Sequence, residues 1–302
     1  MKLGYLFSGQ GSQFKEMGQD LYKAEPVYKD TVDEAAEILG MDLANSAVFD
    51  DPDNVQVAIL TMSTGIFRLL NQDLGNPVAA AGLSLGEYSA LVAASAISFD
   101  DALPLVHDRS QYMDEAGKAN PGVMAAVLNA DSEVLTTALK VGSEAGRVYP
   151  ANYNTDSQIV IGGDEAGVNA ASTYLKEHGV KRVVPLKVAV ASHTPLMSSA
   201  ADKLGLRLEN VDFSEPAFPV ISNTTSTPFT LSDVKDVLKR QLVNPTHFSD
   251  GVQAITDLSA DTLVEIGPGT TLTKLAKKIN RGVDTYHVDS VETLAELREK
   301  LG

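Results

Sequence analysis

Short apolar runs alternate along the chain with longer stretches of helical period. "LGYLF" (3–7) is a compact apolar run that stops at a glycine-rich loop, the pattern of a short buried strand. "PVYKDTVDEAAEILG" (26–40) opens on proline and closes on glycine, which predicts a helix with its termini at those residues. A second long helical pattern fills 54–72, "PVAAAG" (77–82) is a strand, and "EYSALVAASA" (87–96) is a helix-forming stretch. "FDDALPLVHDRSQYMDEAG" (99–117) continues as a helix, with Asp100 and Asp101 in the first turn, where the helix dipole favours acids.

The rhythm changes in the middle. "GVMAAVLN" (122–129) predicts a strand and 131–145 a helix. "RVYPANYN" (147–154) and "SQIVIGG" (157–163) predict two strands joined by a turn, 164–178 a helix and "KRVVPLKV" (181–188) a last strand. That β-α-β-β-α-β order is the ferredoxin-like unit, so a small inserted domain is expected at 122–189. The outer segments, 1–121 and 190–302, include "DTLVEIGPG" (261–269), a strand running into a glycine-proline turn. Their strand–helix alternation predicts one large α/β domain with a mostly parallel sheet between helices.

A chain of 302 residues suits such a large and small pair. Forty acidic against 24 basic residues give a formal charge of −16, which leaves no excess of cations to neutralise nucleic-acid phosphates. There are no cysteines, so disulfides, thiolate metal sites and a cysteine nucleophile are excluded. The opening apolar stretch breaks into glycines too early for a signal-peptide core, and no later run reaches the roughly 18 apolar residues of a membrane span. A cytoplasmic protein without a membrane segment is expected.

Gly82-Leu83-Ser84-Leu85-Gly86 fits G-x-S-x-G between a predicted strand and a predicted helix. That context makes Ser84 a candidate nucleophile on a tight turn, with the helix N-terminus facing any developing negative charge. A serine hydroxyl needs a base. Of the five histidines, His107 and His178 fall within predicted helices and His287 in a predicted strand near the C-terminal end. His193, in "KVAVASHTPLM" (187–197), stands where an apolar strand ends just past the small domain. Its position leaves a structural histidine and a base both open. In "FSGQGSQ" (7–13), Gly9 and Gly11 begin a G-x-G-x-x-G but Phe14 takes the third glycine's place, and no P-loop follows. Backbone N–H groups for an oxyanion suit this loop better than a dinucleotide.

"GQGSQ" (9–13), "GLSLGEYSALVAA" (82–94) and "SHTPLM" (192–197) together resemble the malonyl-CoA:acyl carrier protein transacylase family. "DRSQYM" (108–113), "VMAAVL" (123–128), "PANYNTDSQIVIGG" (150–163), "NPTHF" (244–248) and "EIGPG" (265–269) extend the match, in family order, over nearly the whole chain. The resemblance implies a hydrolase-like large domain with a ferredoxin-like insert. It implies transfer of a malonyl group from malonyl-CoA to the phosphopantetheine thiol of acyl carrier protein in fatty acid biosynthesis, with no cofactor and no metal. It casts Ser84 as nucleophile, His193 as base and acid, the backbone N–H groups of Gln10 and Leu85 as oxyanion donors, and Arg109 as partner of the malonyl carboxylate. The backbone carbonyl of His247 is expected to orient His193.

Leu83 departs from the histidine that many members carry before the nucleophile, and with the small Ser192 before His193 the sequence leaves acceptance of a substituted malonyl group open. A carrier protein is typically acidic, as this chain is, so a local basic surface is expected to dock it. The candidates are Lys181, Arg182 and Lys187, or Lys274, Lys277, Lys278 and Arg281. A serine esterase or thioesterase would share the elbow but pass the acyl group to water, and a silent docking module would leave Ser84 unacylated.

Overall fold

The computed structural model describes residues 1–188 and 190–301. The chain divides into two compact units. The first comprises Met1–Ser110, Asn210–Val234 and Asp250–Gly302, and the second Gln111–Glu209 and Lys235–Ser249. The small domain expected at 122–189 falls inside the second unit, which is wider and takes in a separate later segment.

In the first unit five strands form one parallel sheet: β1 (Leu3–Phe7), β2 (Ala79–Gly82), β7 (Val220–Ile221), β9 (Thr262–Ile266) and β10 (Asp284–Val288), in the order β10-β9-β1-β2-β7. β2 and β9 are buried at every residue and β1 at all but its first, as expected for strands of a parallel sheet covered on both faces. The helix Val55–Leu74 packs against the helices Pro26–Leu39 and Gly86–Ala93 and against β9. It is buried over thirteen consecutive positions, Val55 to Phe67, so it presents no solvated face there. Each of its fully buried Ile59, Leu60 and Ile66 contributes about 1.5–3 kcal/mol by leaving water.

Phe7 and Gly82 are paired in register, and so are Phe7 and Ile266. Three strands therefore end at one level, and the loops after them gather at the carboxyl edge, where α/β sheets bind their ligands. The expected helix at 87–96 runs as Gly86–Ala93, because Ser95 turns left-handed with φ of +55°. Among the described residues no helix is long and apolar enough to cross a membrane.

The second unit carries a mixed sheet of β3 (Val123–Leu128), β4 (Val148–Thr155), β5 (Gln158–Gly163), β6 (Arg182–Pro185) and β8 (Thr246–His247), ordered β6-β3-β5-β4-β8. The helices Ser132–Ala145 and Glu165–Glu177 alternate with the first four strands in the expected order. Ala125, Val127, Leu135, Ala138, Ile161, Val168 and Leu175 pack together as its core. Strand β6 is shorter than the expected 181–188. Pro185 has no N–H to extend the ladder, and a single bond from Leu186 N–H to the Met124 carbonyl, 2.9 Å, closes it. Strand β8, contributed by the later segment, pairs parallel to β4 (Asn152 with Thr246, Tyr153 with His247).

Candidate active site

Ser84 lies between β2 and the helix Gly86–Ala93 with a left-handed φ of +55°. A non-glycine residue there costs of the order of 1–3 kcal/mol. The turn is too tight for side chains on either flank. A Cβ on Gly82 would lie 1.9 Å from the Gly86 carbonyl carbon, and one on Gly86 would lie 2.1 Å from the Phe7 carbonyl oxygen. Glycine at both positions lets the backbone fold this sharply and push the serine outward.

Asn223, two residues past β7, holds the turn from the side. Its Oδ1 accepts the Ser84 N–H at 2.7 Å and its Nδ2 donates to the Gly82 carbonyl at 2.7 Å. An amide N–H only donates and a carbonyl only accepts, so these two contacts fix which end of the Asn223 side chain is which. The Asn223 backbone N–H in turn donates to the buried Glu87 carboxylate.

Arg109 comes from the helix Phe99–Ala119 and is 1% exposed. Its Nη2 donates to Ser84 Oγ at 3.1 Å, and its Nη1 donates to Gln56 Oε1 at 2.6 Å. The guanidinium stands 5.3 Å from the centre of the Tyr88 ring, a cation-π distance. Burial lowers its pKa, while Tyr88 and Glu87 act to raise it. A guanidinium keeps its proton through such a shift, so a full positive charge sits beside the serine oxygen. Gln56 is itself buried, and its Nε2 donates to Gln10 Oε1 at 3.1 Å, so the cation and the Gln10 loop share one support.

Gln10 and Leu85 each follow the Phe7–Gly82 pair by three residues. A Cβ on Gly9 would lie 2.3 Å from the Leu83 carbonyl oxygen, which measures how closely the two loops pack. The Ser84 carbonyl accepts from Glu87 N–H at 3.1 Å and so points along the helix. In a trans peptide the N–H is opposed to that carbonyl, so Leu85 N–H faces out of the helix N-terminus. The Gln10 loop is anchored from below: Ser8 Oγ donates to Glu265 Oε1 at 3.2 Å. The same carboxylate accepts Leu272 N–H at 3.0 Å and both Thr273 N–H and Thr273 Oγ1 at 2.7 Å. Burial raises the Glu265 pKa, and these bonds oppose the rise.

In the second unit, His193 is 3% exposed and also left-handed, with φ of +60°. Its Nδ1 lies 2.8 Å from the Gln241 carbonyl oxygen. A carbonyl only accepts, so Nδ1 carries the proton and Nε2 of the neutral ring presents a lone pair. The orienting carbonyl is thus that of Gln241, a correction to the expected His247. His247 instead stacks its ring on Tyr153, with centroids 4.9 Å apart. Its strand is pinned to β4 at Thr246 and His247, which sets that backbone to sheet pairing.

Sequence reasoning missed Asn223, Gln56 and Gln241. The first two act through tertiary contacts over 139 and 53 residues, and the third through a main-chain atom that residue type does not disclose. Both candidate basic clusters are exposed. Among the described residues no group of three or more His, Asp or Glu side chains is arranged to hold a metal ion.

A serine on a strained turn beside a buried cation is the arrangement of an enzyme that carries an acyl group. The acyl transferase domain model matches residues 4–298. The chain is 41% identical over 301 residues to the malonyl CoA-acyl carrier protein transacylase of Bacillus subtilis, covering 97% of this chain and 95% of that protein. It is 38% identical over 292 residues to the protein of the same name from Escherichia coli K12, covering 94% of each. The crystal structure of MCAT from Streptococcus pneumoniae superposes with a TM-score of 0.95 at 41% identity, over 99% of this chain and 100% of that one. A type II PKS acyl-carrier protein in complex with its malonyl-transacylase contains a chain that matches at 0.93 and 36% identity, over 99% and 100%. The protein is an acyltransferase, and it belongs to the malonyl-CoA:acyl carrier protein transacylase family.

Proposed function

We propose that this chain transfers a malonyl group from malonyl-CoA to the phosphopantetheine thiol of acyl carrier protein in two half-reactions through a malonyl ester on Ser84. In the first, Ser84 Oγ attacks the thioester carbonyl while His193 Nε2 takes its proton. The carbonyl oxygen becomes an oxyanion between the backbone N–H groups of Gln10 and Leu85, each such donor being worth about 3 kcal/mol by mutational precedent. Collapse of the tetrahedral intermediate breaks the carbon–sulfur bond, and the departing thiolate of CoA receives the proton held on Nε2. The second half-reaction runs the same steps in reverse with the carrier thiol, which gives its proton to Nε2, attacks the ester and frees Ser84 Oγ to be reprotonated.

The observation that carries this function is the buried guanidinium of Arg109, 3.1 Å from Ser84 Oγ and steered by Gln56. A malonyl ester on Oγ bears its free carboxylate only three bonds away, within reach of that fork. An acetyl ester has nothing to offer the charge. The Gln241 carbonyl supports the assignment of His193, because it leaves the proton on Nδ1 and the lone pair on Nε2. The strand order β6-β3-β5-β4 supports a ferredoxin-like insert, and the parallel sheet with an elbow serine supports a hydrolase-like large domain.

Intact-mass measurement tests the function. Malonyl-CoA alone should add one malonyl group to the wild-type chain and none to Ser84→Ala, and phosphopantetheinylated carrier should then remove it as malonyl-carrier. Release as free malonate, with no carrier product, would make the protein a thioesterase instead.

A further inference from the structure

We infer that Asn223 is the positioning residue of the nucleophile: its side chain holds the Ser84 turn in the one geometry that aims both Ser84 Oγ and Leu85 N–H at the reacting carbonyl. This rests on the proposed malonyl-serine chemistry and adds to it a residue outside the proposed catalytic set.

Three bonds make the case. Asn223 Oδ1 accepts the Ser84 N–H, Nδ2 donates to the Gly82 carbonyl, and the backbone N–H donates to Glu87 on the following helix. One residue thereby grips the last residue of the strand, the turn residue and the first turn of the helix. Ile221 pairs with Ala81, so the register of β7 carries Asn223 alongside the turn. Asn223 and Glu87 are both buried, so water does not replace these partners at once if they are removed.

The strained serine explains why a clamp is needed. A left-handed φ at a non-glycine residue relaxes unless neighbours hold it. Relaxation would rotate the 84–85 peptide, swinging Leu85 N–H away from the oxyanion and Ser84 Oγ away from Arg109 together. Asn223 bonds to the backbone of the turn and to Glu87 rather than to Ser84 Oγ, so its loss should slow acylation while leaving thioester binding nearly intact.

The test compares wild type, Asn223→Ala and Asn223→Asp in single-turnover acylation by malonyl-CoA, followed by intact mass. The alanine variant should acylate about 100-fold more slowly, the loss typical of a misaligned oxyanion donor, with KM changed less than about threefold. Hydrogen exchange in the peptide spanning 79–88 should rise in the same variant. Asn223→Asp keeps the acceptor for Ser84 N–H but sets an oxygen against the Gly82 carbonyl. It should also be slow, and it carries the test if the alanine variant does not fold. Acylation at the wild-type rate by a folded variant, or a raised KM at unchanged rate, overturns the inference. A wild-type protein that never acylates removes the malonyl-serine chemistry itself, an outcome the variants do not mimic.

Discussion

Replacing Arg109 separates a charge clamp from a merely structural arginine. The guanidinium is 1% exposed, with one end bonded to Gln56 and the other to Ser84 Oγ. A malonyl carboxylate arriving there gains two charge-assisted hydrogen bonds, each worth about 1.5–3 kcal/mol. Breaking a buried pair by deleting one partner costs about 3–5 kcal/mol, because the remaining charge is left without compensation. At about 1.4 kcal/mol per decade, Arg109→Met should lower kcat/KM for malonyl-CoA by about two to four orders of magnitude. Methionine is chosen because it fills much of the space, so packing loss does not obscure the result. Acetyl-CoA behaves differently. Its methyl group faces a buried cation that it cannot satisfy, and removing the cation relieves that mismatch, so acetyl transfer should hold or rise. Single-turnover acylation of Ser84 with each donor, read by intact mass, gives the ratio directly. Equal loss for both acyl groups would show that Arg109 supports the fold around Ser84 and does not read the carboxylate.

Two further outcomes follow from the geometry. His193→Ala should slow acylation by about 10²–10⁴-fold, the usual contribution of a general base, whereas His247→Ala should remain within threefold, since its imidazole stacks on Tyr153; stopped-flow release of CoA measures both. The raised pKa of Glu265 makes the folded chain bind its proton more readily than the unfolded chain. Stability should therefore fall as pH rises from the ordinary glutamate range through the raised folded value, and level off above it. The Tm of wild type minus that of Glu265→Gln, which does not titrate, should fall as pH rises, and a slope of opposite sign would refute the assignment.

The elbow was legible because local chemistry dictates it: an all-apolar strand, two glycines that admit no side chain, and a helix-forming run immediately after. The βαββαβ order was legible for a similar reason, each element being long enough to show its own period. Strands β7 and β8 were not, since two residues carry no alternation, and they pair only because distant segments come alongside. Asn223 sits in "SNTTS", which reads as an ordinary polar turn, and its bonds to residues about 140 positions away leave no local trace. The orienting carbonyl was assigned to His247 by resemblance and belongs to Gln241, six residues earlier in the chain. Any residue type supplies a carbonyl, so nothing in the side-chain sequence separated the two.

The second unit is assembled from Gln111–Glu209 and Lys235–Ser249, so the chain passes between units four times. A chimera that transplants only the longer stretch from a relative would keep the host's β8 against a foreign β4, with the bond from Asn152 to Thr246 among the mismatched contacts. It would also part His193 from the backbone that sets its tautomer. Exchanging the second unit between members of this family therefore calls for moving both pieces at once, with the segment between them left native.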